Sequence, residues 1–202
     1  DADFVISMGG DGTLLKAAAR VGAKNIPVIG VNFGRLGFLS DTMPSEIDMA
    51  VEALYQGNFS LENHTAISVE CGESSVKRVA LNDIAVLKRD TAAMISIHTT
   101  IDDEYVVTYQ ADGLIVSTPT GSTAYGLSNG GPIVVPSADV LCLTPVAPHS
   151  LNIRSIVIDG NSEVALTVES RSHNFLLAID GQSVTMKEGT KVRIRKAPHL
   201  VK

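Results

Sequence analysis

No run of 18 apolar residues occurs in this 202-residue sequence, although 45% of it is hydrophobic. Nothing in it is therefore long and apolar enough for a membrane-spanning helix. A basic-then-apolar leader pattern is missing too. Positive charge is scarce: 16 Lys and Arg stand against 22 Asp and Glu, a net charge of −6. A general nucleic-acid binder needs a basic face that this balance does not provide. The two cysteines, Cys71 and Cys142, are too few for a disulfide framework. Their apolar, strand-forming flanks make them buried reduced thiols. No His/Cys/Asp cluster has the spacing of a metal site, so no protein metal ligand is expected. Internal repeats and low-complexity segments are also absent. The expectation is a cytoplasmic globular protein that binds neither membrane nor nucleic acid. Acidity leaves nucleotides open as ligands, because a Gly-rich turn holds phosphates through backbone N–H groups.

The first 60 residues alternate strand and helix. Asp3 to Met8 is a short apolar run that stops at Gly9-Gly10, as a buried strand does before a tight turn. Leu14 to Val21 is rich in helix formers and closes on Gly22. Ile26 to Val31 reads as the next strand. Ser45 opens a second helix, with Asp48 placed three residues on as in a capping box. Ile47, Ala50, Val51 and Leu54 give that helix one apolar face, and Gly57 ends it. This order predicts parallel, Rossmann-like α/β structure. A two-stranded parallel sheet is thin, so further N-terminal strands are expected before Asp1.

Beyond residue 60 the period changes to two. Val164, Leu166 and Val168 alternate with Ala165 and Thr167, as do Phe175, Leu177 and Ile179, and Val192 and Ile194. Turn signals punctuate the strands at Asp112-Gly113, Asp159-Gly160, Asp180-Gly181 and Glu188-Gly189. Residues 61–202 therefore read as a larger, mainly β, sandwich-like domain after a partial α/β domain at 1–60. The last residues are expected to pack back on the first domain. Only Gly121 to Leu127 departs from strand, as the start of a short helix.

The turn between the first strand and helix is Gly9-Gly10-Asp11-Gly12-Thr13. Its glycines allow close backbone approach to a ligand, and the helix N-terminus behind it favours an anion. An ordinary Gly-rich turn would look the same. Asp11 changes the balance, since a phosphate cradle of the P-loop kind carries Lys rather than a carboxylate. A carboxylate there can take the proton of a hydroxyl that attacks phosphorus. It can equally cap the helix or hold a metal.

GGDGT followed by LLKAA resembles the signature shared by NAD kinases, diacylglycerol and sphingosine kinases and, with Ser last, phosphofructokinases. Four further segments narrow the resemblance to NAD kinases. They are Gly30 to Asp41 (GVNFGRLGFLSD), Ala80 to Leu87 (ALNDIAVL), Asp112 to Pro132 (DGLIVSTPTGSTAYGLSNGGP), and Leu143 to Leu151 with Asp180-Gly181-Gln182. The third is the most specific, and the matches run through nearly the whole chain.

That resemblance implies transfer of a phosphoryl group from ATP or polyphosphate to the adenosine 2′-hydroxyl of NAD, with Mg²⁺ or another divalent cation held mainly by donor phosphates. It implies Asp11 as base, and Gly9, Gly10, Gly12 and Thr13 close to the phosphates. It brings Leu36, Phe38, Asn82, Asp83, Thr123, Ala124, Tyr125, Ser128, Ala147, His149 and Gln182 to NAD, with Gly12 also near the substrate. Asp112 is implied at the nicotinamide end, with help from a neighbouring subunit in a homodimer or homotetramer.

The residue types support these roles without excluding plainer ones. Asn82 offers donor and acceptor to an adenine edge, and Asp83 accepts from an amine or ribose hydroxyl; an Asn-Asp pair is also a common turn. Thr118, Thr120, Ser122 and Thr123 give uncharged donors, or a polar loop. Tyr125 provides an aromatic face and a hydroxyl. His149 is a ligand contact or a structural His. Gln110 stands where family members vary and some carry Arg, a difference associated with tolerance of NADH. Ser155 departs from the usual Pro. Two alternatives remain: a lipid kinase, which should lack TPTGSTAY, and a non-catalytic NAD(P)-binding sensor.

Overall fold

The computed structural model describes residues 2–34, 37–72, 74–90 and 93–202. Two compact units emerge, Asp1–His64 with Pro198–Lys202, and Thr65–Ala197.

The first unit runs β1 (Val5–Gly9), α1 (Asp11–Val21), β2 (Val28–Asn32), a 3-10 turn at Pro44–Glu46 and α2 (Ile47–Gln56). β1 and β2 pair in parallel, from Val5 opposite Val28 to Gly9 opposite Asn32. α1 starts at Asp11, three residues before the apolar pattern begins, because the Gly10 carbonyl already accepts from Thr13 and Leu14. It buries Leu14 and Ala18, which four-residue spacing places on one face. Ile47, Ala50, Val51 and Leu54 of α2 lie beside Ile6, Ile29 and Val31 of the sheet. The α2 start differs from the sequence expectation. The reciprocal acceptor is Glu46, whose Oε2 takes the N–H of Met43 at 2.8 Å, two residues before the predicted Ser45–Asp48 pair. Pro44 fits this, since its missing N–H costs nothing in a first turn. At the far end of the chain, the Lys202 carbonyl accepts from Val28 (2.8 Å).

Twelve strands follow: β3 (His64–Cys71), β4 (Ser74–Ala80), β5 (Asp83–Lys88), β6 (Ile95–Ile101), β7 (Glu104–Ala111), β8 (Gly113–Ser117), β9 (Val140–Val146), β10 (Ile156–Asp159), β11 (Val164–Glu169), β12 (Asn174–Ile179), β13 (Gln182–Lys187) and β14 (Lys191–Val201). They form two antiparallel sheets of six, ordered β10-β9-β8-β5-β12-β13 and β4-β3-β14-β11-β6-β7. One hydrophobic cluster draws Ile84, Leu114, Leu143 and Phe175 from the first sheet and Ile67, Ile97, Leu166 and Ile194 from the second. That is a sandwich core, filled by the inward half of each period-two pattern. β8 is buried along its whole length, because Ile115 also packs with Ala85 and Ala178 on the outer face.

Of the four turn signals, only Asp180-Gly181 closes a hairpin, β12 to β13, with φ of 45° and 78°. Two consecutive positive φ values give the turn that matches strand twist. The other three stand where the chain leaves one sheet for the other, as does Leu81-Asn82 between β4 and β5. A second hairpin turn, Asp102-Asp103 at φ 52° and 65°, joins β6 to β7 without a glycine. Cys71 and Cys142 are buried thiols outside any disulfide, and burial pushes both up, Cys71 to about 11. Among the described residues no helix is long and apolar enough to cross a membrane.

Candidate active site

In the first unit the Asp11 side chain does not cap its own helix. It turns instead to the segment after β2. Its Oδ2 accepts the N–H of Phe38 at 2.8 Å, and Oδ1 accepts those of Leu39 and Ser40 at 3.1 and 3.0 Å. Three of the roughly four positions at which a carboxylate accepts are thus taken. Among the described residues, nothing takes the remaining position on Oδ2. Gly37 makes this possible: a Cβ there would stand 2.1 Å from Asp11 Oδ1. The first and second glycine-rich motifs are therefore one unit, locked by Asp11.

The glycines of the turn divide into two kinds. A Cβ at Gly9 would meet Thr13 Oγ1 at 2.3 Å, so Gly9 makes room for Thr13. At Gly10 and Gly12 an added Cβ would meet nothing within 4 Å. Packing does not explain why those two lack side chains. The helix N-terminus at Gly10, without a side-chain cap, keeps amide donors available to an anion. Phe38 is 76% exposed. Leu36 lies outside the described residues.

In the second unit three motifs meet at one turn. The Asp180 carboxylate accepts the N–H groups of Leu81 (2.9 Å), Asn82 (2.9 Å) and Asp83 (3.1 Å), and the Asp180 N–H returns to the Asp83 carbonyl at 3.0 Å. From the other side, Thr118 Oγ1 donates to the Leu81 carbonyl at 2.6 Å and accepts from Gly121 N–H at 3.0 Å. The Thr118 N–H donates to the Asn82 carbonyl at 2.9 Å. Gly121 is required by this contact, since a Cβ there would lie 1.9 Å from the Asn82 oxygen. Both sides of the Leu81–Asp83 backbone are satisfied by these partners, which leaves the side chains of Asn82 and Asp83 for other work.

Electrostatics single out Asp83. It is 6% exposed, and burial, followed by the nearby Asp180 charge, pushes its carboxyl up to about 7. Burial raises Asp180 as well, while its three amide donors pull it back. Thr118 and Ser122 are consumed structurally, Ser122 Oγ accepting from Val134 N–H at 3.0 Å. Thr123 and Ala124 are half-buried, and Tyr125 and Ser128 are exposed around the short helix α3 (Tyr125–Ser128). Gln182 is exposed at the start of β13.

A second cluster sits at the other end of β5. Lys88 Nζ lies 2.7 Å from Asp112 Oδ1, and the Lys88 N–H donates to the Asp112 carbonyl at 2.8 Å. Asp112 N–H is held by Val146, and His149 N–H donates to the Gln110 carbonyl, both at 2.9 Å. Ala147, between them, is held at φ 43°, a left-handed conformation that costs a non-glycine residue 1 kcal/mol or more, as a rough figure. Gln110, Lys88, Glu169, Arg171 and Glu188 line an open cavity of about 620 Å³. Asp83 and Lys88 are the two ends of β5, roughly 17 Å apart at the rise of a strand. The structure thus gathers the predicted residues of this unit into two groups rather than one. Sequence reasoning missed Asp180 as the clamp. Its signals, an Asp-Gly between alternating runs and a place in the Asp180-Gly181-Gln182 segment of the resemblance, did not show which backbone it would hold.

Comparison with known proteins agrees along the chain. Residues 1–59 match the model for the ATP-NAD kinase N-terminal domain, and residues 81–202 that for the ATP-NAD kinase C-terminal domain. An NAD kinase of Bacteroides fragilis is 55% identical over 204 residues, covering 100% of this chain and 70% of the relative. One from Porphyromonas gingivalis is 44% identical, over 99% and 69%. Among solved structures, yeast NADH kinase complexed with NADH superposes with a TM-score of 0.92 at 28% identity, covering 96% of this chain and 57% of the yeast chain. An Archaeoglobus fulgidus NAD kinase in complex with ATP gives 0.86 at 30%, covering 98% and 76%. With both family models matched in order and relatives this similar, the chain belongs to the NAD kinase family.

Proposed function

We propose that this chain transfers a phosphoryl group from ATP, or from polyphosphate, to the adenosine 2′-hydroxyl of NAD, and that Asp11 accepts the hydroxyl proton. The observation that carries the reading is Asp11 itself. Its carboxylate lies in a glycine-rich turn at a helix N-terminus and is fixed by three amides, with one acceptor position that no described residue takes. As the 2′-oxygen bonds to the terminal phosphorus, the bridging P–O bond breaks, and the proton leaves the hydroxyl for Asp11. Such a step needs little covalent help beyond placement and charge stabilisation. The open faces of Gly10 and Gly12, with Gly9 and Thr13 shaping the turn, suit the approach of phosphate oxygens. A divalent cation, Mg²⁺ or another, enters with the donor and neutralises its phosphates.

Asn82 and Asp83 hold the nucleoside of NAD, with Thr123, Ala124, Tyr125 and Ser128 beside them and Gln182 adding a further contact; the family resemblance assigns Phe38 and Leu36 to NAD as well. Asp112, Gln110, Ala147 and His149 form the nicotinamide-end cluster. The roughly 17 Å of β5 between the two groups supports a pocket completed by a neighbouring copy, in a homodimer or homotetramer working in the cytoplasm. The neutral Gln110 leaves both NAD and NADH admissible.

Asp11→Asn tests the base directly. Turnover should fall by about 10²–10⁴-fold, the usual contribution of a general base, while NAD affinity measured by calorimetry changes little. A variant that turns over at the wild-type rate would refute the assignment.

A further inference from the structure

We propose that Asp180 is the positioning residue of the nucleoside subsite: its carboxylate fixes the Leu81–Asp83 backbone and places a second negative charge beside Asp83. The inference rests on the reading of Asn82 and Asp83 as nucleoside contacts, and adds a control element to it.

Geometry carries the argument. One side chain, contributed from the end of β12, receives three consecutive backbone N–H groups of the crossing from β4 to β5. Such a crossing has no ladder partner for its amides, and buried amides left unpaired are costly. Thr118 and Gly121 hold the carbonyl side of the same residues, so Asn82 and Asp83 have little freedom to turn away. Asp180 is itself held at φ 45° and followed by Gly181, which fixes its carboxylate at the start of the hairpin. The neighbours of Asp83 across the sheet are Ser117 on β8 and, at the end of β12, Ile179 and Asp180. Among these Asp180 is the charged group. Two buried carboxyls this close disfavour double ionisation; burial, with the Asp180 charge adding to it, pushes Asp83 up to about 7, and burial raises Asp180 too.

The consequence is a pH-dependent grip on substrate. An amine or hydroxyl donated by the nucleoside needs Asp83 ionised, so affinity rises with pH through about 7. With one group titrating there, NAD should bind about tenfold more weakly at pH 6 than at pH 8. Asp180→Asn removes the repelling charge, so the Asp83 transition moves to lower pH. It also sets an amide NH₂ against one of the three N–H donors, so KM for NAD rises more than kcat falls.

The test is NAD binding and steady-state kinetics from pH 5.5 to 8.5 for wild type, Asp83→Asn and Asp180→Asn, with the Asp83 carboxyl followed by ¹³C NMR. That resonance is identified as the one missing from Asp83→Asn. A lower Asp83 midpoint in Asp180→Asn, with raised KM, supports the proposal. A wild-type midpoint and KM in that variant overturn it. Wild-type affinity in Asp83→Asn overturns instead the underlying subsite reading, and the NMR midpoints then still decide whether Asp180 controls Asp83. Should Asp180→Asn not fold, Asp180→Ser takes its place in the same titrations: an Asp83 midpoint below that of wild type supports the coupling, and one equal to it overturns it.

Discussion

The Asp11 carboxylate occupies the space that a side chain at Gly37 would take, with Oδ1 2.1 Å from the ideal Cβ position. Two motifs that lie apart in the sequence, Gly9 to Thr13 and Gly30 to Asp41, are thereby a single device, and the absence of one side chain fixes the place of another. Gly37→Ala must push Asp11 off its three amides. A displacement of about 1 Å is enough to cost roughly 10²-fold in rate. Steady-state kinetics should show kcat falling by about that factor; an unchanged kcat would mean that the position of Asp11 is not critical.

Gly12 makes the opposite prediction about folding. Its Cβ space is empty of protein atoms, and it stands in the first turn of α1. Gly12→Ala should leave stability unchanged or raise it by up to about 1 kcal/mol, since Ala outranks Gly in a helix. If the space belongs to the phosphoryl donor, KM for ATP rises in the same variant. Urea unfolding and ATP kinetics on one preparation separate the two effects.

Gly121→Ala should be damaging without touching any ligand. The added methyl would lie 1.9 Å from the Asn82 carbonyl oxygen, and overpacking of this kind costs about 1–3 kcal/mol. Urea denaturation should show that loss, with weakened NAD binding because Asn82 and Asp83 shift together. A variant of wild-type stability would show that the turn yields easily.

Asp83 gives a stability prediction whose sign is opposite to that of most carboxylates. Its folded carboxyl is raised from 3.8 to about 7. As pH rises through this window the unfolded chain ionises first, so the native state loses stability between about pH 4 and 7 and levels off above. Asp83→Asn escapes the loss. Its stability relative to wild type should improve by about 2–3 kcal/mol between pH 5 and pH 8, as measured by urea unfolding. A difference independent of pH would contradict the raised carboxyl.

How much of this was visible in the sequence depends on whether neighbours in space were neighbours in the chain. The strand, turn and helix around Gly9 to Val21 were legible because periodicity and glycine punctuation are local. So were the inward residues of β11, β12 and β14. Asp11 stood out as a candidate carboxylate, but its partners Phe38, Leu39 and Ser40 did not, because amides carry no side-chain signature. Asp112-Gly113 and Asp180-Gly181 look alike as dipeptides. One marks a crossing between sheets and the other a hairpin that also clamps Asn82 and Asp83. Which of the two occurs is decided by sheet pairing, a long-range property that no dipeptide reports. The Asp102-Asp103 turn escaped notice because neither residue is Gly, although Asp tolerates the left-handed region better than most.

Product identity tests the central claim most directly. The intact protein is incubated with NAD, ATP and Mg²⁺, and the product is detected with an NADP-specific dehydrogenase. The account predicts steady NADP formation that requires all three components and is lost in Asp11→Asn. NAD binding with no NADP formed, from ATP or from polyphosphate, would contradict it.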